Sequence, residues 1–361
     1  MCAQRQSKPV PLRIWGGVAL VAIALVLLPF VAAFFGQAWV RILNFAMIYI
    51  MLALGLNIVV GFAGLLDLGY IAFYAVGAYM YALLASPHFN VHLPFWAILP
   101  LGAGLACIFG VLLGAPTLKL RGDYLAIVTL GFGEIIRIFL NNLDAPVNVT
   151  NGPQGINLID PFRIGSFSFA RAEVIDGIYF SGPQKYYYVL LLLSLAVIVV
   201  NIRLQNSRLG RAWEAIREDE VAARAMGINT RNVKLLAFAM GASFGGLAGG
   251  IFSATQEFVS PESFGLFESI IVLSMIVLGG MGHIAGVVLG AILLTLLPEF
   301  LRSTMGPLQN ALFGRVLLDA ETVRLLVFGI ALVAIMLYRP AGLWPSAVRK
   351  RELEVARVNN A

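Results

Sequence analysis

Long apolar runs that contain no charged residue constrain the fold of this chain more than any other feature. Residues 14–35 are 22 consecutive residues without a charge, and residues 269–298 hold one ionisable side chain, His283, in 30 residues. An α-helix rises about 1.5 Å per residue, so roughly 20 residues cross the 30 Å hydrocarbon core of a bilayer. Helices also satisfy their backbone hydrogen bonds internally, as a lipid surrounding demands. The runs therefore predict membrane-spanning helices.

The composition indicates the same class of protein. Apolar residues make up 60% of the 361 residues, charged residues make up 12%, and the mean hydropathy is +0.87. Soluble domains are about 45–50% apolar and about 25% charged, so this chain lacks the polar surface that a soluble enzyme needs. Two cysteines, Cys2 and Cys107, are too few for a disulfide scaffold. The net charge of +6 arises from Lys and Arg that flank the apolar runs, which argues against nucleic acid as a partner.

The runs predict an all-α fold, a polytopic transmembrane helical bundle of about ten spans within a range of eight to ten. The predicted spans cover residues 14–35, 42–60, 65–85, 93–118, 124–140, 186–202, 235–254, 264–281, 284–301 and 325–338. Residues 269–298 are too many for one crossing, and Gly279-Gly280-Met281-Gly282 divides them between two helices. Residues 14–35 also resemble a signal peptide, but a signal core is only about 7–15 residues long, so an uncleaved span is the preferred interpretation.

Two tails and two polar loops complete the predicted domain organisation. A transmembrane domain of residues 14–345 lies between an N-terminal tail, residues 1–13, and a C-terminal tail, residues 346–361. Residues 141–185 are predicted to form a compact loop with short helices, and residues 203–234 form the second long loop. Most of the 25 Lys and Arg residues fall on the side of the tails and of loop 203–234. Such an excess predicts that both termini and loop 203–234 are cytoplasmic and that loop 141–185 is external.

Loop 203–234 contains a predicted amphipathic helix. The segment from Arg211 to Met226 predicts a helix, and Gly227 is a typical C-terminal stop. Its apolar residues, which are Trp213, Ile216, Ala223 and Met226, fall on one face at helical spacing. Such a helix either lies on the membrane surface or fits a groove on a cytoplasmic partner, and these residues alone favour neither interpretation.

Glycine-rich breaks and charges inside the apolar runs are the candidate features of a transport path. Breaks at 61–64 and 279–282 free backbone groups, which either line a transport site or permit close helix packing. For the glycines of residues 241–250, close packing is the favoured interpretation. Charged residues in spans are costly and often functional, but Glu134 and Arg137 are three residues apart on one helix and are interpreted first as a structural pair. The candidate path residues are Gly61, Gly64, Asp67, Glu134, Gly279, Gly280 and Gly282.

The sequence holds no motif of a catalytic or metal site. No His/Cys spacing typical of a metal site occurs, and the phosphate-binding pattern Gly-x-x-x-x-Gly-Lys-Ser/Thr is missing. We therefore predict no catalytic residues, no metal ligands and no cofactor bound by this chain, and we expect any ATPase to be a separate subunit. A membrane-embedded enzyme is disfavoured for the same reason.

Loop 203–234 resembles the coupling loop of ABC importer permeases, which reads Glu-Ala-Ala, three residues, Gly. Ala222, Ala223 and Gly227 match this pattern, while Val221 stands in place of the Glu and Glu220 comes one position early. The resemblance implies that the loop docks into a cleft on an ATP-binding subunit. The residues that it implies for coupling are Arg211, Trp213, Glu214, Glu220, Ala222, Ala223 and Gly227.

Five further motifs, in order, are similar to those of branched-chain amino acid ABC permeases of the LivM type. They are residues 61–79, 120–137, 150–156, 277–282 and 339–343, and the resemblance covers about residues 40–345. It implies a bacterial inner-membrane permease subunit that moves branched-chain or other hydrophobic amino acids by alternating access. The implied partners are a second, related permease, two ATP-binding subunits that bind the ATP, and a periplasmic substrate-binding protein.

Two other functions stay open at this point. Relatives in the same family import urea or amides, so the substrate class is not fixed by the motifs. An ion-coupled secondary transporter or channel is the alternative from another class, with Asp67, Glu134 and His283 as its ion or proton sites. Loop 203–234 distinguishes these functions, because a transporter that works alone does not need it.

Overall fold

Eleven α-helices dominate the part of the chain that the computed structural model describes, namely residues 12–117, 120, 122–165, 167–175, 178–313, 323, 326, 329, 330, 333, 337, 338 and 342–344. The helices are α1 (Leu12–Phe35), α2 (Gln37–Asn57), α3 (Ile71–Leu84), α4 (Phe95–Thr117), α5 (Asp123–Asn141), α6 (Gly182–Gln205), α7 (Arg208–Glu218), α8 (Glu220–Ala225), α9 (Thr230–Gln256), α10 (Leu266–Gly279) and α11 (Ile284–Phe313). The predicted tails and the predicted span 325–338 lie wholly or largely outside the described residues.

The predicted all-α membrane bundle is confirmed. Six helical segments among the described residues are long and apolar enough to cross a membrane. They are Gln37–Phe62, Phe95–Thr117, Gly182–Gln205, Thr230–Gln256, Pro261–Gly279 and Ile284–Thr304, and the shorter apolar helices are Leu20–Phe35 and Ile71–Leu84. The predicted division of residues 269–298 is also confirmed, because α10 ends at Gly279 and α11 begins at Ile284.

The centre of the bundle is α2, whose residues Met51, Leu52 and Leu54 are completely buried. It packs against α6, α9, α10 and α11. The outer helices instead expose large apolar side chains, such as Leu112 on α4 and Ile127 on α5. An exterior of this kind suits contact with lipid rather than with water.

Helix α9 packs closely against α3 and α4 through glycines. A Cβ atom built on Gly246 would lie 2.7 Å from the carbonyl oxygen of Gly102 on α4, and one built on Gly77 of α3 would meet the backbone of Gly246. Small residues let helix backbones approach in this way. The close-packing interpretation of residues 241–250 is therefore confirmed.

An irregular segment separates α2 from α3. A π-helical turn, Ile58–Phe62, ends α2, and the chain runs without a helix to Tyr70. Leu68 N donates to Thr129 Oγ1 on α5 at 3.0 Å, and Tyr70 Oη donates to Gly241 O on α9 at 3.0 Å. The irregular backbone is thus enclosed by protein, which is where a membrane protein tolerates it. The predicted span 65–85 is correspondingly shorter than expected.

The loop 141–185 differs from the prediction. Its described residues form one short 3-10 turn, Gly152–Gln154, and five short strands, which are β1 (Ile156–Asn157), β2 (Arg163–Ile164), β3 (Phe167–Ser168), β4 (Glu173–Ile175) and β5 (Ile178–Phe180). Strand β1 pairs antiparallel with β6 (Phe258–Val259), β2 with β3, and β4 with β5. Strands of two or three residues are too short to show the alternation by which a sequence indicates a strand.

Candidate functional site

Loop 203–234 folds as two helices, so the prediction of one helix from Arg211 to Met226 is wrong. Helix α7 ends at Glu218, and Asp219 adopts an extended conformation with φ −154°. The Asp219 Oδ1 atom accepts hydrogen bonds from Val221 N at 2.7 Å and Ala222 N at 3.0 Å, which caps α8. Asp side chains form such caps in preference to continuing a helix.

The buried side of this loop fixes it to the bundle. Trp213 is completely buried, and its Nε1 donates to Val233 O on α9 at 2.8 Å. Glu220 forms an ion pair with Lys234 of α9 at 2.7 Å. Trp213 and Glu220 therefore hold the loop against α9 rather than presenting themselves to a partner.

The opposite side of the loop is exposed. We define the docking face as the exposed residues Glu214, Val221, Ala222, Met226 and Gly227. Met226 is 83% exposed and Val221 is 67% exposed. The predicted apolar face is confirmed for Trp213, Ile216 and Ala223, which are buried, and is wrong for Met226, which follows the last residue of α8 and is exposed. Arg211, also predicted for coupling, lies at the exposed start of the loop, where its Nη1 donates to Asn206 O at 3.1 Å.

The two glycine-rich breaks meet each other beneath this loop. Asn57 Oδ1 accepts from Gly282 N at 3.0 Å, and Arg217 Nη1 of α7 donates to Gly61 O at 2.5 Å. A Cβ atom built on Gly61 would lie 2.7 Å from Gly282 N, and the Arg217 side chain also packs against Gly64. We call the meeting of residues 57–64 with 279–283 the glycine junction. All five predicted path glycines lie in it, namely Gly61, Gly64, Gly279, Gly280 and Gly282.

Leu343, in the described end of the motif at 339–343, and the adjacent Trp344 also reach the glycine junction. Leu343 N donates to Leu278 O at 2.8 Å, and Trp344 N donates to Gly279 O at 3.1 Å. The Trp344 ring stacks on His283 with the ring centroids 6.1 Å apart. These contacts satisfy carbonyl groups at the end of α10, where the helix leaves them without partners. Gly280, the residue that follows α10 and caps its C-terminus, has φ +118°.

The predicted charged residues of the path make separate contacts. Asp67 is buried, its Oδ1 accepts from Gly69 N at 2.9 Å, and its Oδ2 has no hydrogen-bond partner among the described residues. Glu134 Oε2 pairs with Arg137 Nε at 2.8 Å, as the structural interpretation predicts, and Arg137 also reaches Glu262 at 3.3 Å. Among the described residues, no group of three or more His, Cys, Asp or Glu is arranged to hold a metal ion.

A cavity of about 390 Å³ lies at the opposite end of the bundle, between α2, α6 and α9. Its lining includes Arg41, Asn44 and Glu257. None of these residues was predicted from the sequence, although polar side chains at 41 and 44 stand beside an apolar run in it. The residues that close the cavity come from distant parts of the chain.

Comparison with known proteins gives consistent matches. The sequence matches the family described as "Branched-chain amino acid transport system / permease component" over residues 38–349. It is 44% identical over 341 residues to the "High-affinity branched-chain amino acid transport system permease protein LivM" of Escherichia coli K12, which covers 91% of this chain and 74% of the relative. The protein of the same name from Salmonella typhimurium is 43% identical with the same coverage.

A second kind of permease is also similar. The "High-affinity branched-chain amino acid transport system permease protein LivH" of Escherichia coli K12 is 24% identical over 251 residues, which are 68% of this chain and 79% of the relative. No solved structure matches this chain.

Proposed function

This chain belongs to the branched-chain amino acid transport permease family, and we propose that it forms one half of the translocation path of an ATP-driven importer whose ATP-binding subunits are separate chains. As a permease, it is a transport component in a membrane rather than an enzyme. The names of its relatives support branched-chain amino acids as the substrate class.

The proposed assembly contains a second, related permease. Similarity to both LivM and LivH supports a pair of permeases built on one fold. Two ATP-binding subunits lie on the cytoplasmic side. The excess of Lys and Arg near loop 203–234 and both termini supports this orientation of the loop. A periplasmic binding protein delivers the amino acid to the other side.

The observation that carries the coupling proposal is the hydrogen bond from Arg217 to Gly61. It connects α7, in the loop proposed to contact the ATP-binding subunit, directly to the glycine junction. The docking face offers apolar side chains, Val221 and Met226, next to charged ones, as the centre and rim of a protein interface do. A partner that binds this face can therefore displace the ends of α2 and α10.

Alternating access follows from this connection. ATP binding and hydrolysis move the ATP-binding subunits, and α7 and α8 move with them as one unit because Trp213 and Glu220 hold both helices to α9. Arg217 and Asn57 pass the displacement to the two breaks. Breaks in helices are natural hinges for rigid-body rocking of helix groups between outward-open and inward-open states.

A pull-down tests the proposal. The tagged protein is purified in mild detergent from its native membranes, and ATPase activity is measured in the eluate. We expect ATP-binding subunits and a second permease to co-elute, and we expect Val221→Asp with Met226→Asp to release the ATP-binding subunits. Leu158→Asp is the matched control, since Leu158 is an exposed apolar residue, 76% exposed, in the loop at the other end.

The contrary outcome is equally specific. A chain that elutes alone, without ATPase activity, contradicts the importer assembly and favours the ion-coupled alternative, for which Asp67 and Glu134 are then the residues to replace. Uptake of radiolabelled leucine, with unlabelled isoleucine, valine and urea as competitors, determines the substrate class in the same membranes.

A further inference from the structure

The cavity between α2, α6 and α9 has the size of a small-molecule site. Its volume of about 390 Å³ falls within the roughly 300–1,000 Å³ of ligand pockets in proteins. It lies at the end of the bundle where α2 and α6 begin and α9 ends, far from loop 203–234 along these helices. In the proposed orientation this is the external end.

One face of α2 forms the wall of the cavity. Arg41, Asn44, Phe45 and Ile48 all line it. Their spacing of three, four and seven residues places them on one side of the helix. The wall is therefore polar and cationic towards the start of α2 and apolar further into the bundle.

Two residues of opposite charge line the cavity. Arg41 lies on α2 and Glu257 lies at the end of α9, and neither forms an ion pair with a described residue. Burial raises the pKa of the Glu257 carboxyl, while Arg163 nearby lowers it. Both Arg41 and Glu257 are exposed, and apart from the longer-range effect of Arg163 no described cation pairs with the Glu257 carboxylate, so this carboxylate can accept an ammonium group.

Asn44 supplies an unused hydrogen-bond acceptor. Asn44 is only 8% exposed, and its Nδ2 donates to Pro183 O at 2.9 Å. Its Oδ1 is buried and has no hydrogen-bond partner among the described residues. An unpaired buried acceptor in a residue that lines a cavity can accept a hydrogen bond from a ligand that enters it.

We propose that this cavity binds a small zwitterion, namely an amino acid with an apolar side chain, on its way into the translocation path. Arg41 pairs with the carboxylate, Glu257 and Asn44 Oδ1 accept the ammonium, and Phe45 and Ile48 contact the apolar side chain. The inference rests on the proposed function and adds to it a reception site at the external mouth.

The test measures binding of leucine to the purified complex in nanodiscs, without the periplasmic binding protein. Leucinamide lacks the carboxylate and 4-methylpentanoate lacks the ammonium, so both should bind at least about tenfold more weakly to the wild type. Arg41→Gln should weaken leucine binding about tenfold and abolish the preference for leucine over leucinamide. Glu257→Gln should abolish the preference over 4-methylpentanoate. If removing a charged group from the ligand has no further effect once its partner side chain is replaced, the two groups interact.

Arg302→Gln is the control for charge, because Arg302 is an exposed arginine on α11 that does not line the cavity. It should leave leucine binding unchanged. Every variant is tested only in complexes that still co-elute with the ATP-binding subunits. A failure of the reception site is then separate from a failure of the importer assembly, which the pull-down alone reports.

Two results overturn the inference. One is equal binding of leucine and both analogues by the wild type, or unchanged leucine binding in Arg41→Gln and Glu257→Gln. The other concerns a zwitterionic lipid headgroup, which offers the same pair of charges. Mass spectrometry that finds phosphatidylethanolamine retained by the wild type, lost from Arg41→Gln and not displaced by leucine assigns the cavity to lipid.

Discussion

Arg217 and Gly61 are joined by a hydrogen bond of 2.5 Å from the guanidinium Nη1 to the backbone carbonyl, although they are 156 residues apart. One residue belongs to the loop on the surface of the bundle and the other to the π-helical turn that ends its central helix. A charged donor makes this bond stronger than a neutral one. The contact connects the exposed loop directly to the interior of the bundle.

The first prediction concerns this contact. Arg217→Ala should leave assembly and ATPase activity intact but lower amino acid uptake at least about tenfold, because the loop then moves without the glycine junction. The measurement is the number of amino acids taken up per ATP hydrolysed in proteoliposomes. Arg208→Ala, at an exposed arginine at the start of the same helix, is the control. An unchanged ratio for Arg217→Ala would show that coupling follows another route.

The second prediction concerns the link between the two breaks. Asn57→Ala removes the acceptor of Gly282 N and leaves a buried N–H unpaired, which costs about 1–3 kcal/mol in the free energy of unfolding. Thermal unfolding of the purified protein measures this loss. Asn201→Ala is the matched control, since the buried Asn201 side chain donates to Val197 O of its own helix. Equal losses in the two variants would mean that the link between the breaks contributes nothing of its own.

The third prediction concerns the pair on α5. Glu134→Gln and Arg137→Gln should each lower stability, and the double variant should lose less than the sum, because each single change leaves one charge without its partner. The coupling should be about 0.5–1 kcal/mol, since both side chains are partly exposed. Glu262→Gln serves as a comparison, because Glu262 reaches Arg137 at a longer distance. Strict additivity for Glu134 and Arg137 would contradict a structural pair.

The sequence predicts features that depend on neighbouring residues and misses those that depend on distant ones. The division between α10 and α11 follows from the length of an apolar run and a cluster of glycines. The break at Asp219 cannot be predicted in this way, because an Asp can either continue a helix or cap a new one. Here its side chain caps α8. The choice between the two conformations depends on burying Trp213 and Ala223 from both halves of the loop against α9.

The candidate site illustrates the same limit. Both glycine-rich breaks are apparent in the sequence, but their contact joins Asn57 to Gly282 across 225 residues. Arg217 carries no local signal that distinguishes it from the other arginines of loop 203–234. The cavity likewise joins the start of α2 to Pro183 and Glu257, and the polar side chains at 41 and 44 do not by themselves show which distant segments close it.

The last prediction tests the close packing of α9. Gly246→Ala places a methyl group 2.7 Å from Gly102 O and 2.5 Å from Ala106 Cβ, both on α4. Overpacking of this kind costs about 1–3 kcal/mol in the free energy of unfolding, so the thermal midpoint should fall. Gly104→Ala, on α4 itself, is the control, because a Cβ atom at this position would meet no described atom within 4 Å and alanine favours a helix over glycine. That variant should be neutral or slightly more stable. A Gly246→Ala protein as stable as the control would mean that α4 and α9 are free to move apart, so that their glycines do not determine how closely the two helices pack.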